Sequence, residues 1–204
     1  MNEILWRPRR PQQTQLHQFK TAIEQNESRQ LKNFNELWEW SVENRESFYK
    51  HLWDYVSMKT STSYDKVLSP GEHMMYDRWF TGAKLNFAEN ILRYNDDQEA
   101  IVFCNETGVV SRYTYVELFE RAQAFAAYLQ RLGVGESDVV AGFLPNMPAA
   151  VIAMLGATSL GASFTSASPD FGAQGVLDRF GQIEPKVVVA ATSYLFKGQK
   201  VSLD

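Results

Sequence analysis

Apolar residues change their spacing along this chain, from the three- and four-residue recurrence of helices to the short continuous runs of buried strands. Within residues 14–24, Leu16, Phe19 and Ile23 fall on one helical face, which predicts an amphipathic arm that docks on other parts of the protein. Asn33 with Glu36 offers a cap before Leu37, Trp38 and Trp40, and a second helical run carries Phe48, Leu52, Trp53 and Val56. These aromatic side chains are expected to pack between helices. The stretch is rich in Gln, Asn and aromatic residues and lacks strand-like alternation, so residues 1–97 are expected to form a mostly helical region.

The period changes near Glu99. Ala100 to Cys104 and Val109 to Tyr113 are short β-prone runs separated by Thr107-Gly108, a hairpin signal. Thr114 and Glu117 form a capping box, after which Leu118, Ala122, Phe125, Ala126 and Leu129 trace an apolar stripe that stops at Gly133. Asp138 to Leu144 reads as a parallel strand buried on both faces, broken by Pro145. Pro148 sits in the first turn of a helix that is apolar on nearly all sides from Ala149 to Leu160 and ends at Gly161. Ala162 to Thr165 is a weak strand. Ser168 or Asp170 can cap a third helix through Phe180, and Pro185 ends it before a strong strand at Val187 to Ala191. Strand, helix, strand, helix, strand implies right-handed crossovers and a parallel sheet covered by helices. The expected fold is therefore α/β: a helical N-terminal region over residues 1–97, then the first part of a mostly parallel, helix-covered sheet over residues 98–204.

Composition narrows the function classes. With 204 residues, 45% of them hydrophobic, the chain can bury most of its apolar surface. A net charge of -4 without a local Lys/Arg cluster supplies no field for a phosphodiester backbone, so nucleic acid is excluded as a partner. The longest apolar stretch is too short to span a bilayer, and the start lacks the apolar run of a secretory signal. A lone cysteine, Cys104, rules out an internal disulfide framework and fits a reducing compartment, which gives a cytoplasmic expectation.

Ligands of an open parallel sheet collect at the carboxyl ends of its strands, where loops and helix N-termini present free N–H groups. Pro145-Asn-Met-Pro148 and the loop from Thr165 to Gly172 occupy such positions. Pro, Asn, Asp and Gly are also what plain strand-to-helix turns require, so spacing by itself leaves both readings open.

Three segments carry more. Trp79-Phe-Thr-Gly-Ala-Lys-Leu-Asn-Phe-Ala-Glu-Asn90 resembles the Trp-Phe-x-Gly-x-x-Leu-Asn-x-x-x-Asn signature of the acetyl-CoA synthetase branch of the adenylate-forming acyl-CoA ligases. Within that branch, Leu85 to Arg93 and Ser168 to Lys186 are most similar to acetoacetyl-CoA synthetases. Arg93-Tyr94-Asn95 stands where acetyl-CoA synthetases carry Asp-Arg-His, a departure that counts against acetate. The resemblance runs from about Asn33 to the end of the chain.

The resemblance implies the N-terminal subdomain of an adenylate-forming enzyme that uses ATP, Mg2+ and CoA, with a small carboxylate as substrate. The carboxylate would attack the α-phosphorus of ATP to give an acyl-adenylate and pyrophosphate, and the CoA thiol would then displace AMP. The Ser/Thr/Gly phosphate loop, ribose-binding aspartate and C-terminal lysine of such enzymes would lie beyond residue 204. No catalytic residue is therefore assigned, and the chain alone is expected to be inactive and to bind none of ATP, CoA and Mg2+ tightly. In this branch the loop matching Pro169, Asp170 and Phe171 lies by the adenine of CoA, and two basic residues contact the 3′-phosphate. Lys197 and Lys200 match those, and lysine lacks the bidentate fork of arginine. The competing readings are a helix cap for Asp170 and solvated surface positions for Lys197 and Lys200. Alternatives for the whole chain are an acetyl- or propionyl-CoA synthetase portion, or a non-catalytic module that binds a partner or self-associates through an unpaired sheet edge.

Other candidates read as structural. His17, His51 and His73 lack ligand spacing, so no metal site is expected. Cys104 is expected to be a buried, inert thiol. Asp77 and Glu89 flank the signature without an identifiable acid or base partner, and Trp38, Trp40 and Trp53 read as core rather than as a stacking platform.

Overall fold

A computed structural model describes residues 6–203. Its contacts define two compact units, one running to Lys84 and one starting at Leu85.

In the first unit, Thr14 opens α1 (Gln15–Asn26) by accepting a hydrogen bond from the His17 amide on its hydroxyl at 3.2 Å. Asn33 does the same for α2 (Phe34–Glu43), accepting from the Glu36 amide at 3.0 Å while the Glu36 carboxylate accepts from the Lys32 amide. The third helix, α3 (Arg45–Tyr55), completes a small core in which Phe19, Ile23, Leu31, Leu37 and Trp40 are buried against Phe48, Leu52 and Tyr55. The α1 arm thus docks through Phe19 and Ile23, with the Phe19 ring edge-on to Phe48 at 5.7 Å, whereas Leu16, expected on the same face, is exposed. Trp38 departs from the expected core role. It is 58% exposed, on a face of α2 shared with Phe34 and Val42, because burial of Leu37 and Trp40 turns that face away from α1 and α3.

Within this mostly helical region the chain also forms β1 (Lys66–Ser69) and β2 (Arg78–Thr81), which pair antiparallel. Four residues each are too few to show alternation. The pair is held instead by side chains around it: the Asp77 carboxylate accepts from the Gly71 amide at 2.9 Å and from Arg45 Nη1 at 2.6 Å. The Gly71 amide, then Arg45, holds that carboxyl below its ordinary range. Trp53 stacks on Phe80 at 4.1 Å between ring centroids, so it packs on the β2 strand rather than within the three-helix core.

The second unit opens with α4 (Phe87–Ile91), then the hairpin β3 (Glu99–Asn105) and β4 (Gly108–Thr114). Glu106 and Thr107 form its loop, and Gly108, at φ +107°, begins the return strand. Thr114 and Glu117 build the reciprocal capping box of α5 (Tyr115–Arg131), burying Leu118, Ala122, Ala126 and Leu129. There follow β5 (Val139–Phe143), α6 (Pro148–Ser159), β6 (Ser163–Ala167), α7 (Gly172–Phe180) and β7 (Val187–Ala190). The three strands are parallel in the order β6-β5-β7, with β5 at the centre. One sheet face packs Val140, Val187 and Val189 with Leu129 of α5 and Ala157 of α6, and the other packs Ala141, Phe143 and Ala167 with Phe180 and Val176 of α7. This is the helix-covered parallel sheet the periodicity implies. The chain then adds a hairpin absent from the sequence reading, β8 (Ser193–Phe196) and β9 (Gln199–Ser202).

Helix α7 begins later than expected. Ser168 caps a 3-10 turn, Pro169–Phe171, rather than the α-helix itself, and Gly172 at φ +64° makes the transition. At the amino ends of β5 and β7, Lys186 Nζ donates to Asp138 Oδ2 at 2.9 Å and to the Gly133 carbonyl at 2.6 Å. Lys186, then the Gly135 amide, holds the Asp138 carboxyl below its ordinary range.

Candidate functional site

The carboxyl ends of β5, β6 and β7 gather the loops singled out above. After Phe143, residues 144–147 turn into α6, and the Leu144 amide donates to the Ala167 carbonyl at 3.3 Å, joining the exits of β5 and β6. Beyond β7, the Ala191 amide donates to the Phe143 carbonyl at 3.1 Å and so starts the β8–β9 hairpin beside β5. An open cleft of about 260 Å³ lies there, lined by Phe103 to Asn105 of β3, Pro145 to Met147 and Ser193 to Leu195 of β8.

The candidate residues form two groups. Pro169, Asp170 and Phe171 share the turn after β6. Asp170 is exposed and its carboxylate accepts from the Ser168 hydroxyl at 2.9 Å. Phe171 is 50% exposed, with the Arg179 guanidinium carbon 3.9 Å from its ring centroid, a cation–π contact that fixes one face of the ring. Lys197 and Lys200 belong to the hairpin that follows β7. Lys197 occupies the turn at φ +51°, its ammonium 5.2 Å from the Phe196 ring centroid, and Lys200 sits opposite Leu195 on β9. The strand order places β6 and β7 on opposite sides of β5, about 10 Å apart at two strand spacings. The two groups thus follow strands that flank one central strand, at its carboxyl end.

Cys104 is exposed and lines the cleft, contrary to the buried thiol expected. The β3–β4 hairpin presents alternate residues to solvent, and Cys104 falls on the outward set with Val102. His51 Nε2 lies 2.7 Å from Glu27 Oε1. Among the described residues no group of three or more His, Cys, Asp or Glu side chains is arranged to hold a metal ion, and no helix is long and apolar enough to cross a membrane.

Two families match this sequence: the AMP-binding enzyme family over residues 87–203, and the acetyl-coenzyme A synthetase N-terminus family over residues 34–91. The chain belongs to the AMP-binding enzyme family. Acetoacetyl-CoA synthetase from Xenopus tropicalis is 36% identical over 97% of this chain, and its counterpart in Rhizobium meliloti 36% over 98%. Malonamoyl-CoA synthetase from Penicillium aethiopicum is 34% identical over 97%. The structure of acetoacetyl-CoA synthetase from Streptomyces lividans superposes on 98% of the chain with a TM-score of 0.89 and 34% identity. The chain spans 30% of the Xenopus protein, 31% of the Rhizobium protein and 32% of the Streptomyces one, matching the N-terminal part of the last.

In this member of the AMP-binding enzyme family the polar residues of the signature segment serve as helix caps and backbone anchors. Asn86 caps α4 by accepting from the Glu89 amide at 3.1 Å, and its Nδ2 donates to the Thr158 and Ser159 carbonyls at 2.9 and 3.2 Å. Asn90 Nδ2 donates to the Asn86 carbonyl at 3.0 Å. Gly82 sits at φ +87°, and a Cβ there would lie 2.4 Å from Asp65 Oδ2. Sequence reasoning found these residues but not their partners, and it missed the β8–β9 hairpin, whose Lys197-Gly198 dipeptide between two short runs was the available signal. It also missed Glu106, whose contacts lie 91 and 92 residues away.

Proposed function

We propose that this chain is the N-terminal part of an acetoacetate-CoA ligase that works in the cytoplasm in lipid metabolism, on small-molecule substrates and without nucleic acid or membrane partners. The observation that carries this reading is the agreement with the Streptomyces acetoacetyl-CoA synthetase over 98% of the chain at a TM-score of 0.89. In the complete reaction a carboxylate oxygen of acetoacetate bonds to the α-phosphorus of Mg-ATP and pyrophosphate leaves. The CoA sulfur then bonds to the acyl carbon, and the C–O bond to AMP breaks.

This chain's share is the CoA nucleotide. Asp170 and Phe171 line the adenine, with the half-exposed Phe171 ring as a stacking face steadied by Arg179, while Pro169 is buried and shapes the turn beneath them. Lys197 and Lys200, both exposed, meet the 3′-phosphate as point charges. The groups that grip triphosphate and stabilise the adenylation transition state belong to other parts of the ligase. Incubated alone with Mg-ATP, acetoacetate and CoA, the 204-residue chain is expected to form no AMP above the enzyme-free blank. Steady acetoacetate-dependent AMP release by the chain alone would overturn the assignment.

A further inference from the structure

Two hairpins meet beside the cleft, and one carboxylate joins them. Glu106, in the loop of β3–β4, accepts from the Lys197 amide on Oε1 at 2.6 Å and from the Gly198 amide on Oε2. Lys197 and Gly198 are the two loop residues of the β8–β9 hairpin, at φ +51° and +73°, the pair of positive values of a type I′ turn. Gly198 adopts this conformation freely, whereas Lys197 carries a Cβ penalty. The closing pair of the ladder is Phe196 with Gln199, so the amides of both loop residues are left over by the strand pairing, and one carboxylate takes both. Consecutive N–H groups of this kind form a concavity suited to an anion.

We propose that Glu106 is a positioning residue that fixes the β8–β9 turn and thereby the placement of Lys197 and Lys200. The hairpin's base is joined to the sheet on one side, where the Ala191 amide donates to the Phe143 carbonyl, and is closed on itself by the Leu203 amide donating to the Thr192 carbonyl at 2.9 Å. The Glu106 contacts add a second tether at the tip, remote from the base, and so set the hairpin's direction. Glu106 spends its hydrogen bonds on the backbone, and the Lys197 ammonium lies instead at the Phe196 ring. The cation is held in place without being consumed by an ion pair. The same tether keeps β3 and β8 apart at a fixed width, as walls of the cleft.

The part of this inference that concerns ligand binding rests on the CoA reading above. It is tested on the whole chain by heteronuclear NMR, measuring amide exchange at Lys197 and Gly198 and the affinities for CoA and 3′-dephospho-CoA. Wild-type protein is expected to protect both amides and to prefer CoA. Glu106→Ala should accelerate exchange at both sites on the order of tenfold, the scale of one charge-assisted hydrogen bond, and should shrink the preference for CoA. Glu106→Gln, which keeps one acceptor, should restore part of each effect. Unchanged spectra outside residues 103–107 and 191–203 establish that the variants are folded. Unaltered exchange in Glu106→Ala would overturn the tether, and a CoA preference that survives the substitution undiminished would overturn its positioning role. If the wild-type chain does not distinguish CoA from its dephospho form, the phosphate assignment of Lys197 and Lys200 falls, and exchange alone decides the tether.

Discussion

At the residue scale, Asn86 shows how one amide serves two helix ends. Its oxygen accepts from the first turn of α4, and its nitrogen donates to the last carbonyls of α6, 72 and 73 residues away. A carboxylate keeps the first contact and loses the second. Asn86→Asp also brings negative charge to the negative pole of α6. The expected loss is about 1–3 kcal/mol in urea unfolding, no less than for Asn86→Ala. A change within about 0.5 kcal/mol would show that the α6 contact contributes little. The sequence identified Asn86 and Asn90 through their place in a recognisable segment and Asn33 and Thr114 through local cap spacing. It could not identify the carbonyls that Asn86 serves or the turn that Glu106 holds, because neither partner is near in sequence. Cys104 went astray for a related reason: an apolar neighbourhood along a hairpin strand does not say which face is covered.

At the element scale, segments with a cap, a period or a continuous apolar run were legible, and short segments of mixed polarity were not. Helix α5 could be read complete from its capping box, stripe and terminal glycine, and β5 and β7 from their apolar runs, whereas the Ser- and Thr-rich β6 gave only a weak strand signal. Strands β1, β2, β8 and β9 have four residues each, too few for a period, and depend on contacts such as those of Asp77 and Glu106. Helix α6 shows packing that no pattern announces. A Cβ at Gly156 would lie 2.8 Å from Phe125 Cδ1 and 3.1 Å from the Ala122 carbonyl, so α5 and α6 approach with only a hydrogen between them. Gly156→Ala would gain helix propensity of about 1 kcal/mol in an open position. Here the helices must separate, and a net destabilisation of about 1–3 kcal/mol is expected from overpacking. A raised thermal midpoint in Gly156→Ala would mean that the helix pair is looser than these contacts imply.

At the scale of the whole molecule, the sequence carried the fold class and the family because both rest on order: helices first, then alternating strand and helix, with a recognisable segment near the junction. The candidate site was less legible. Its two groups follow β6 and β7 on either side of β5, a topological fact that residue spacing does not contain. The account as a whole holds that these residues complete a thioester-forming enzyme rather than act alone. The direct measurement is a chimera in which this chain replaces the matching N-terminal part of the Streptomyces lividans acetoacetyl-CoA synthetase, 32% of that protein. AMP release is followed with Mg-ATP, CoA and either acetoacetate or acetate. The account predicts CoA-dependent turnover that favours acetoacetate, and a folded, soluble chimera with no acetoacetate-dependent AMP release would contradict it.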